Sequence, residues 1–358
     1  MSPAPKIDIV IPMWNEAARI GRVLDALVAQ TRQDFRVTIF DNCSTDNGPD
    51  ICLGYTDRLD IHLNAKTLNI GQNANINRSF LNATADYVAI CSANDVLAPD
   101  YLEQLATVLD READVGVAYA KAIRVGRDGN PLTAQPRKWA FYSADQDDLI
   151  ARACMVIEQY RQPSNFFALY RRTVLDRMMP QPFRFGGDNV FVCEAALYGK
   201  IRCIEEAVVY QSISPGLSSM PDRMRHLMRM FSMDHERGLP EGSALGALEQ
   251  LCPIIDMYHA HLDMFRLARL PYEQRTRLIT EGSRAFLARR GDDIEKNTQR
   301  VIIHAGEFID RLTPEDFSHR MFIHQMLRKI DQCLLLLQPA ELIALRQRYA
   351  DLYVGARP

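Results

Sequence analysis

The sequence lacks the features that mark a secreted, membrane-spanning or nucleic-acid-binding protein. Its amino end, MSPAPKIDIVIP, has no basic segment followed by a long apolar run, so it does not read as a signal peptide. The longest purely aliphatic run, Leu334 to Leu337, is far short of the ~20 residues needed to cross a bilayer. An excess of either charge is lacking: 42 Lys and Arg against 45 Asp and Glu give a formal net charge of -3, so no basic field points to nucleic acid. The eight cysteines form no CxxC pair and no metal-like spacing. Cys91, Cys193 and Cys203 sit in apolar stretches and read as reduced core residues. No GxGxxG follows the first apolar run, which argues against a dinucleotide-binding oxidoreductase. No glycine- and lysine/arginine-rich loop stands near the amino end, which argues against a nucleotidyltransferase. On these grounds a cytoplasmic protein is the expectation, at the inner face of a membrane if it makes peripheral contact there.

What is present is enough for more than one ordinary domain: 358 residues, 47% of them hydrophobic. The first two-thirds alternate short β-rich runs with helical patterns, which predicts an α/β fold with a mixed, mostly parallel sheet flanked by helices. Strands are expected at Ile7–Pro12, Arg36–Asp41, Asp60–Asn64, Asp86–Cys91, Val115–Ala122, Phe166–Tyr170 and Ile201–Tyr210. Ile20, Val23, Leu24, Leu27 and Val28 recur at helical spacing within Glu16–Gln30. Further helices are expected over Gln72–Thr84, from Pro99 onward, and over Asp188–Tyr198, the last ending at Gly199 in a left-handed cap. Residues 127–162 fit no single pattern. After about Pro215 Met, His and Leu recur at helical spacing, so the chain divides into an α/β domain, 1–216, and an all-helical region, 217–358.

Four polar stretches fall at or after the ends of the predicted strands, where open parallel sheets bind ligands. They are IPMWNE (Ile11–Glu16), FDNCSTDN (Phe40–Asn47), NIGQNANINR (Asn69–Arg78) and SAND (Ser92–Asp95). Backbone groups of Met13 and Trp14 could edge a flat base. Asn42 both donates and accepts, as the imide edge of a uracil-like base requires, and Asp41 can accept from ribose hydroxyls. Each stretch alone reads equally well as a turn or a helix cap. No histidine lies between His62 and His226, so most of this half offers no histidine base and a carboxylate is the natural alternative.

In order and spacing, IPMWNE, DNCSTD, NIGQNANIN and SAND followed by VLAPDYL resemble the nucleotide-sugar-binding half of family-two glycosyltransferases of the GT-A fold. The likeness covers residues 7 to about 216. It implies an enzyme of polysaccharide biosynthesis that moves a sugar, with inversion, from a nucleotide-sugar donor, a UDP-sugar first of all, to a glycan or lipid-linked acceptor. It implies that Pro12, Met13, Trp14 and Glu16 line the base and ribose and that Asp41 and Asn42 contact the nucleoside. Asn69, Gly71 and Asn77 would lie beneath it, and Ser92, Ala93 and Asn94 would meet the diphosphate. FRFGGDNVFVCEAALYGKI, Phe183–Ile201, resembles the segment in which a carboxylate opening a helix is the general base. The matching residue is Asp188, and Gly187 stands where a glutamate often precedes it.

The resemblance also implies a divalent cation, Mn²⁺ or Mg²⁺, bound at Asp95 and Asn94. The departures bear on that cation most. Ser92 and Asn94 occupy acidic positions of the pattern, and Ser214 stands near the place of a histidine, leaving Asp95 as the one charged ligand. Either the cation is held mainly by the diphosphate, or Arg78, Arg171 or Arg172 stabilises the leaving group instead. A module that binds nucleotide-sugar or glycan without catalysis is the rival for such an acid-poor site. The tail resembles nothing nameable. His259 and His261, two apart, make a poor chelating pair on a helix, and Pro221–Met230 sets three arginines among methionines. The tail would cap the acceptor cleft or form a homodimer.

Overall fold

The computed structural model describes residues 5–126, 130–132, 141–161, 163–182, 186–212, 253–309 and 317–355. Among the described residues eight strands form one mixed sheet: β1 (Ile7–Met13), β2 (Phe35–Asp41), β3 (Ile61–Ala65), β4 (Tyr87–Ile90), β5 (Val96–Leu97), β6 (Val115–Val125), β7 (Leu169–Arg171) and β8 (Lys200–Ser212). Their order is β3-β2-β1-β4-β7-β6-β8-β5. β3, β2, β1 and β4 run parallel, and β8 is parallel to β6. β7 and β5 are antiparallel to their neighbours.

β1 is buried on both faces, as the near-continuous apolar run of a central parallel strand predicts. Its one carboxylate, Asp8, is buried but fully partnered, by Arg36 at 2.6 Å and by the Thr84 and Ala85 amides. Below one face pack α1 (Ala17–Val28), through Ile20, Val23, Leu24 and Leu27, and α4 (Tyr101–Arg111). Against the other face lie α3 (Gln72–Asn82), α5 (Leu149–Gln159) and α7 (Gly187–Tyr198). Short helices α2 (Gly48–Leu53) and α6 (Arg172–Leu175) also belong to this region.

The helical region contributes α8 (Pro253–Leu267), α9 (Tyr272–Ile309), α10 (Phe317–Leu334) and α11 (Ala340–Gly355). Ile254, Ile255, Met257 and Phe265 belong to the same apolar cluster as Ile157, Val190 and Phe191, so α8 extends the core of the α/β region. A fully buried side chain such as Phe265 contributes about 1.5–3 kcal/mol of that attachment. α9 grips α5 at both ends. Arg277 bonds Asp148, the N-cap of α5, and Arg289 donates to the carbonyls of Ile157 and Tyr160 at its carboxyl end. The expected boundary at 216 lies outside the described residues, as does the Pro221–Met230 segment.

Three local expectations change. α4 starts at Tyr101, with Asp100 as its N-cap, because the Pro99 carbonyl is taken by the Thr31 amide. Gly199 is extended, with φ of -167°, so its reason is space: a Cβ there would lie 2.6 Å from the Cα of Gly116. The unassigned stretch contains α5, capped by the Asp148 side chain at 2.9 Å from the Ile150 amide. No helix among the described residues is long and apolar enough to cross a membrane.

Candidate active site

The register of the parallel strands aligns their carboxyl ends, with Met13 opposite Asp41 and Asp41 opposite Ala65. The loops that leave these ends are tied together. Asn15 donates its amide to Ser44 Oγ at 2.9 Å and accepts from the Thr45 amide at 2.8 Å. Asp46, on the second loop, caps α1 by accepting from the Ala17 amide at 2.8 Å, a service the local residue Glu16 does not perform. Glu16 instead pairs with Arg19. Asn15 and Cys43 hold positive φ, 53° and 66°, a strain that persists only where surrounding bonds over-determine it.

Asn42 is buried, and its amide is spent on the third loop. Nδ2 donates to Asn69 Oδ1 at 2.7 Å, and Oδ1 accepts from the Ile70 amide at 3.0 Å. The Gly71 amide donates to the same Asn69 oxygen, and Gly71 takes φ of 84° to start α3. Asn42 is thus a brace between two loops before it is a reader of any base. Met13 is likewise turned inward, its sulfur 4.0 Å from Cys52 Sγ, so only its backbone faces the loops. Pro12, Trp14, Glu16, Asn69, Ser92 and Asn94 are half-buried, while Asp41, Gly71 and Ala93 lie below them. Asp41 accepts from the amide and the hydroxyl of Ser44.

The asparagines of α3 carry the frame across to the other half. Asn75 donates to the Phe40 carbonyl at 2.7 Å, toward the second loop. Asn73 donates to the Pro182 carbonyl at 3.0 Å. Asn77 donates to the Gln181 carbonyl at 3.0 Å and accepts from its amide at 2.8 Å. Glu194, buried on α7, accepts from the Met179 amide with both oxygens at 3.1 Å and fixes the start of the same segment. Residues 179–182 are therefore held from two sides. Asn77 acts on this segment rather than lying free beneath a nucleoside.

SAND is a tight link between β4 and β5. Because Val96 pairs with Tyr210, Asp95 comes level with the end of β8 and accepts from the Ser212 amide at 2.9 Å. Burial pushes the Asp95 carboxyl up to about 7, against the pull of that amide and with a further push from nearby Glu16. Asn94 Oδ1 accepts from Ser92 Oγ at 2.7 Å. Among the described residues no three His, Cys, Asp or Glu side chains are grouped to hold a metal ion. Asp95 with the Asn94 carbonyl would supply a minority of the roughly six oxygens a hard cation requires, so these residues fit an ion carried mainly by a diphosphate and water. Arg171 and Arg172 are in the wrong place to help. Arg171 binds the carbonyls of Leu109, Glu112 and Val115, and Arg172 those of Phe80 and Ala83, beside the amino end of β4. Arg78 stays on the donor side, bonded to Asn64 and lying over the Phe40 ring.

Asp188 stands in the first turn of α7, entered through Gly186 at φ of 72°. Its carboxylate accepts from Tyr160 Oη at 2.7 Å. Desolvation raises the Asp188 carboxyl above the ordinary carboxylate range, and the Tyr160 hydroxyl and backbone amides oppose that rise. A carboxyl in the first turn of a helix, with one phenol donor and a raised pKa, is suited to take up a proton. Tyr160 lies at the end of α5, which had no assignment in the sequence, so nothing there pointed to it. A histidine does approach from the tail: His261 is buried, its ring nitrogens 2.8 Å from the Met257 carbonyl and 3.1 Å from Asn189 Oδ1. Burial lowers its pKa to about 4, so it is a neutral residue packed on Asn189.

Tyr160→Phe should leave the core filled but remove the donor to Asp188. The carboxyl then rises further, and the acid limb of the kcat/KM profile moves to higher pH. Loss of a hydrogen bond to a charged group should lower the rate about tenfold or more on that acid limb. A profile of unchanged midpoint in Tyr160→Phe would show that the phenol does not tune Asp188.

Comparison with known proteins bears on the family and the fold. Residues 8–178 match the family model described as "Glycosyl transferase family 2". An uncharacterized glycosyltransferase of Nostoc sp., alr2836, is 27% identical over 214 residues, 58% of this chain and 65% of the relative. The chain thus spans just under two thirds of that relative's length, and far less of others. Staphylococcus aureus TarS 1-349 in complex with UDP-GlcNAc superposes with a TM-score of 0.55 at 18% identity, covering 98% of this chain and 90% of that one. The mannosyltransferase PcManGT of Pyrobaculum calidifontis in complex with GDP-Man and Mn²⁺ gives 0.51 at 15% identity, covering 99% and 86%. At such identities the likeness speaks for the fold, a GT-A sheet with helices on both faces and a helical region after it.

Proposed function

We infer, for a chain whose residues 8–178 belong to glycosyl transferase family 2, that it is an inverting glycosyltransferase. It moves a sugar from a nucleotide-sugar donor, a UDP-sugar, to a hydroxyl of a glycan or lipid-linked saccharide. Pro12, Trp14 and Glu16 line the base and ribose, with Asp41 beneath them. Asn42 and Asn69 set the shape of the pocket, and Ser92, Asn94 and Asp95 receive the diphosphate. A divalent ion carried on that diphosphate would neutralise charge on the leaving group, anchored here by Asp95. Work on a lipid-linked acceptor would place the protein at the inner face of a membrane, in the building of a polysaccharide.

The observation that carries this reading is Asp188, a desolvated, hydrogen-bonded carboxyl whose segment is tied to the donor loops through Asn73 and Asn77. In the reaction the acceptor oxygen attacks the anomeric carbon from the face opposite the diphosphate. Its proton passes to Asp188, and the bond from the anomeric carbon to the diphosphate oxygen breaks. Inversion follows from the single displacement. The rival binding module rests on the acid-poor SAND loop. It gives no use to the half-buried Asp188 carboxyl that the Tyr160 hydroxyl holds at the start of α7.

Calorimetric titration with UDP should show one site, tightened only severalfold by Mn²⁺, because the protein adds one carboxylate to the ion's shell. The same titration with GDP and dTDP, followed by turnover of a panel of nucleotide sugars, tests the donor. No binding of any nucleoside diphosphate, with or without Mn²⁺, would remove the donor assignment.

A further inference from the structure

At the carboxyl end of α5 three arginines meet with little to neutralise them. Arg289 of α9 donates to the carbonyls of Ile157 and Tyr160, where a helix terminus favours a cation. Arg161 donates to the carbonyls of Glu158 and Tyr160, at 2.6 and 3.3 Å. Arg290 bonds Asp293 at 2.9 Å, and its Nε is buried with no hydrogen-bond partner among the described residues. Arg161 is exposed and the other two are half-buried, so the group opens to solvent. Asp293 is the one carboxylate bonded to any of the three among the described residues, which leaves an excess of two positive charges.

Bracing α9 on α5 accounts for Arg289 alone. It gives no reason to add two more cations, since like charges at this range oppose one another. The effect is visible in the group itself: desolvation, then Arg290 and Arg161, bring Arg289 down to about 9, and burial with Arg290 lowers Arg161. An arrangement that costs stability in the free protein but gathers planar cations at one solvent-reaching place suits an oxyanion. Its position is informative. The carbonyl of Tyr160 receives the arginines while its hydroxyl holds Asp188, so the group stands one tyrosine from the proposed base. Nearby, Ser164 Oγ and Asn165 Oδ1 are buried without partners among the described residues, and Asn165 also binds Tyr142, whose phenol senses Arg289 and Arg161.

We propose that Arg161, Arg289 and Arg290 form a binding site for an oxyanion, a phosphate or carboxylate, borne by the acceptor near the hydroxyl that Asp188 deprotonates. The inference rests on the glycosyltransferase reading and names the class of acceptor: an anionic saccharide or a phosphate-linked lipid. Donor and acceptor would then hold their anions at separate places, Asp95's loop and the arginine group, on either side of the reacting centre.

The test uses the full chain with its donor site filled by saturating UDP. Glucose 6-phosphate and glucose are titrated as soluble probes, and phosphatidic acid vesicles against phosphatidylcholine vesicles as the lipid arm. Glucose 6-phosphate should bind at least about tenfold more tightly than glucose. Arg161→Gln and Arg290→Gln should each remove about tenfold of that affinity, and Arg161→Glu should abolish it. Arg161→Lys should keep most of it, with UDP affinity unchanged in every variant. Arginine-dependent binding confined to the vesicles would support the site and assign the anion to a lipid. Phosphate binding no better than glucose in both arms, or binding indifferent to all these variants, overturns the proposal. Loss of UDP binding with arginine-dependent phosphate binding intact would remove the donor reading and leave this site standing.

Discussion

Asp188→Asn should bind UDP as the parent does and lose about 10²–10⁴ of its turnover. Asparagine keeps the size of the side chain and can still accept from Tyr160 Oη, so the helix start and its segment remain in place. What disappears is the capacity to take a proton as the acceptor attacks. The parent should also show an acid limb above the ordinary carboxylate range, because burial disfavours the charged form of Asp188. The sign is fixed by the mechanism: the base works only when deprotonated, so rates fall as pH drops through its raised pKa. The variant should lose that limb together with its rate. Turnover equal to the parent would end the assignment of Asp188, whatever the binding data showed.

Gly187→Ala should be almost as damaging by a purely steric route. A Cβ at Gly187 would lie 2.4 Å from the Pro182 carbonyl oxygen, and that oxygen is backbone, held by Asn73. The segment cannot yield cheaply, since Asn77 grips Gln181 on both its amide and its carbonyl. Relief must come from moving the first turn of α7, where Asp188 sits. A displacement of about 1 Å at a reacting group costs on the order of a hundredfold in rate. Overpacking of this kind also costs about 1–3 kcal/mol of stability. Turnover measured beside UDP titration and thermal melting separates these: a rate loss near a hundredfold, a lowered melting temperature and UDP affinity within about twofold are expected. The missing glutamate before Asp188 thus has a physical reason in this chain, because no side chain fits there.

The donor half was legible in the sequence because its signals are local. Ile7–Pro12 and Arg36–Asp41 are strands by composition, and polar residues at their ends fall at the carboxyl edge of the sheet by topology alone. The asparagines of NIGQNANIN were legible only as a set. Their spacing could not say that Asn75 turns to Phe40 while Asn73 and Asn77 cross to residues 181–182. Asp188 could be named from its place before an apolar helix, but its partner could not. α5 carries ordinary helical signals, Asp148 as cap and Ile150, Ala153, Val156 and Ile157 at apolar spacing, yet it follows a stretch of turn and aromatic residues that obscured its start. Long-range packing was out of reach altogether. Nothing in the tail announces that His261 will bond Asn189, or that Arg289 and Arg290 will close on Arg161.

The same limit explains the error about the leaving group. Arg171 and Arg172 follow a strand, as a phosphate ligand might, but β7 runs antiparallel to β4. Its carboxyl end therefore lies at the opposite edge of the sheet from SAND, and both guanidiniums are spent on carbonyls there. Direction of a strand, which sequence does not encode locally, decided which arginines could take part.

The most direct test of the central claim is the anomeric configuration of the first product. The purified chain is supplied with a UDP-sugar that it turns over, with water or a saccharide as acceptor, and the new anomeric signal is followed by proton NMR before mutarotation sets in. Single displacement with Asp188 as base predicts that the first product has the configuration opposite to the donor's, and that Asp188→Asn forms it at least a hundredfold more slowly. A first product that keeps the donor's configuration would contradict the account.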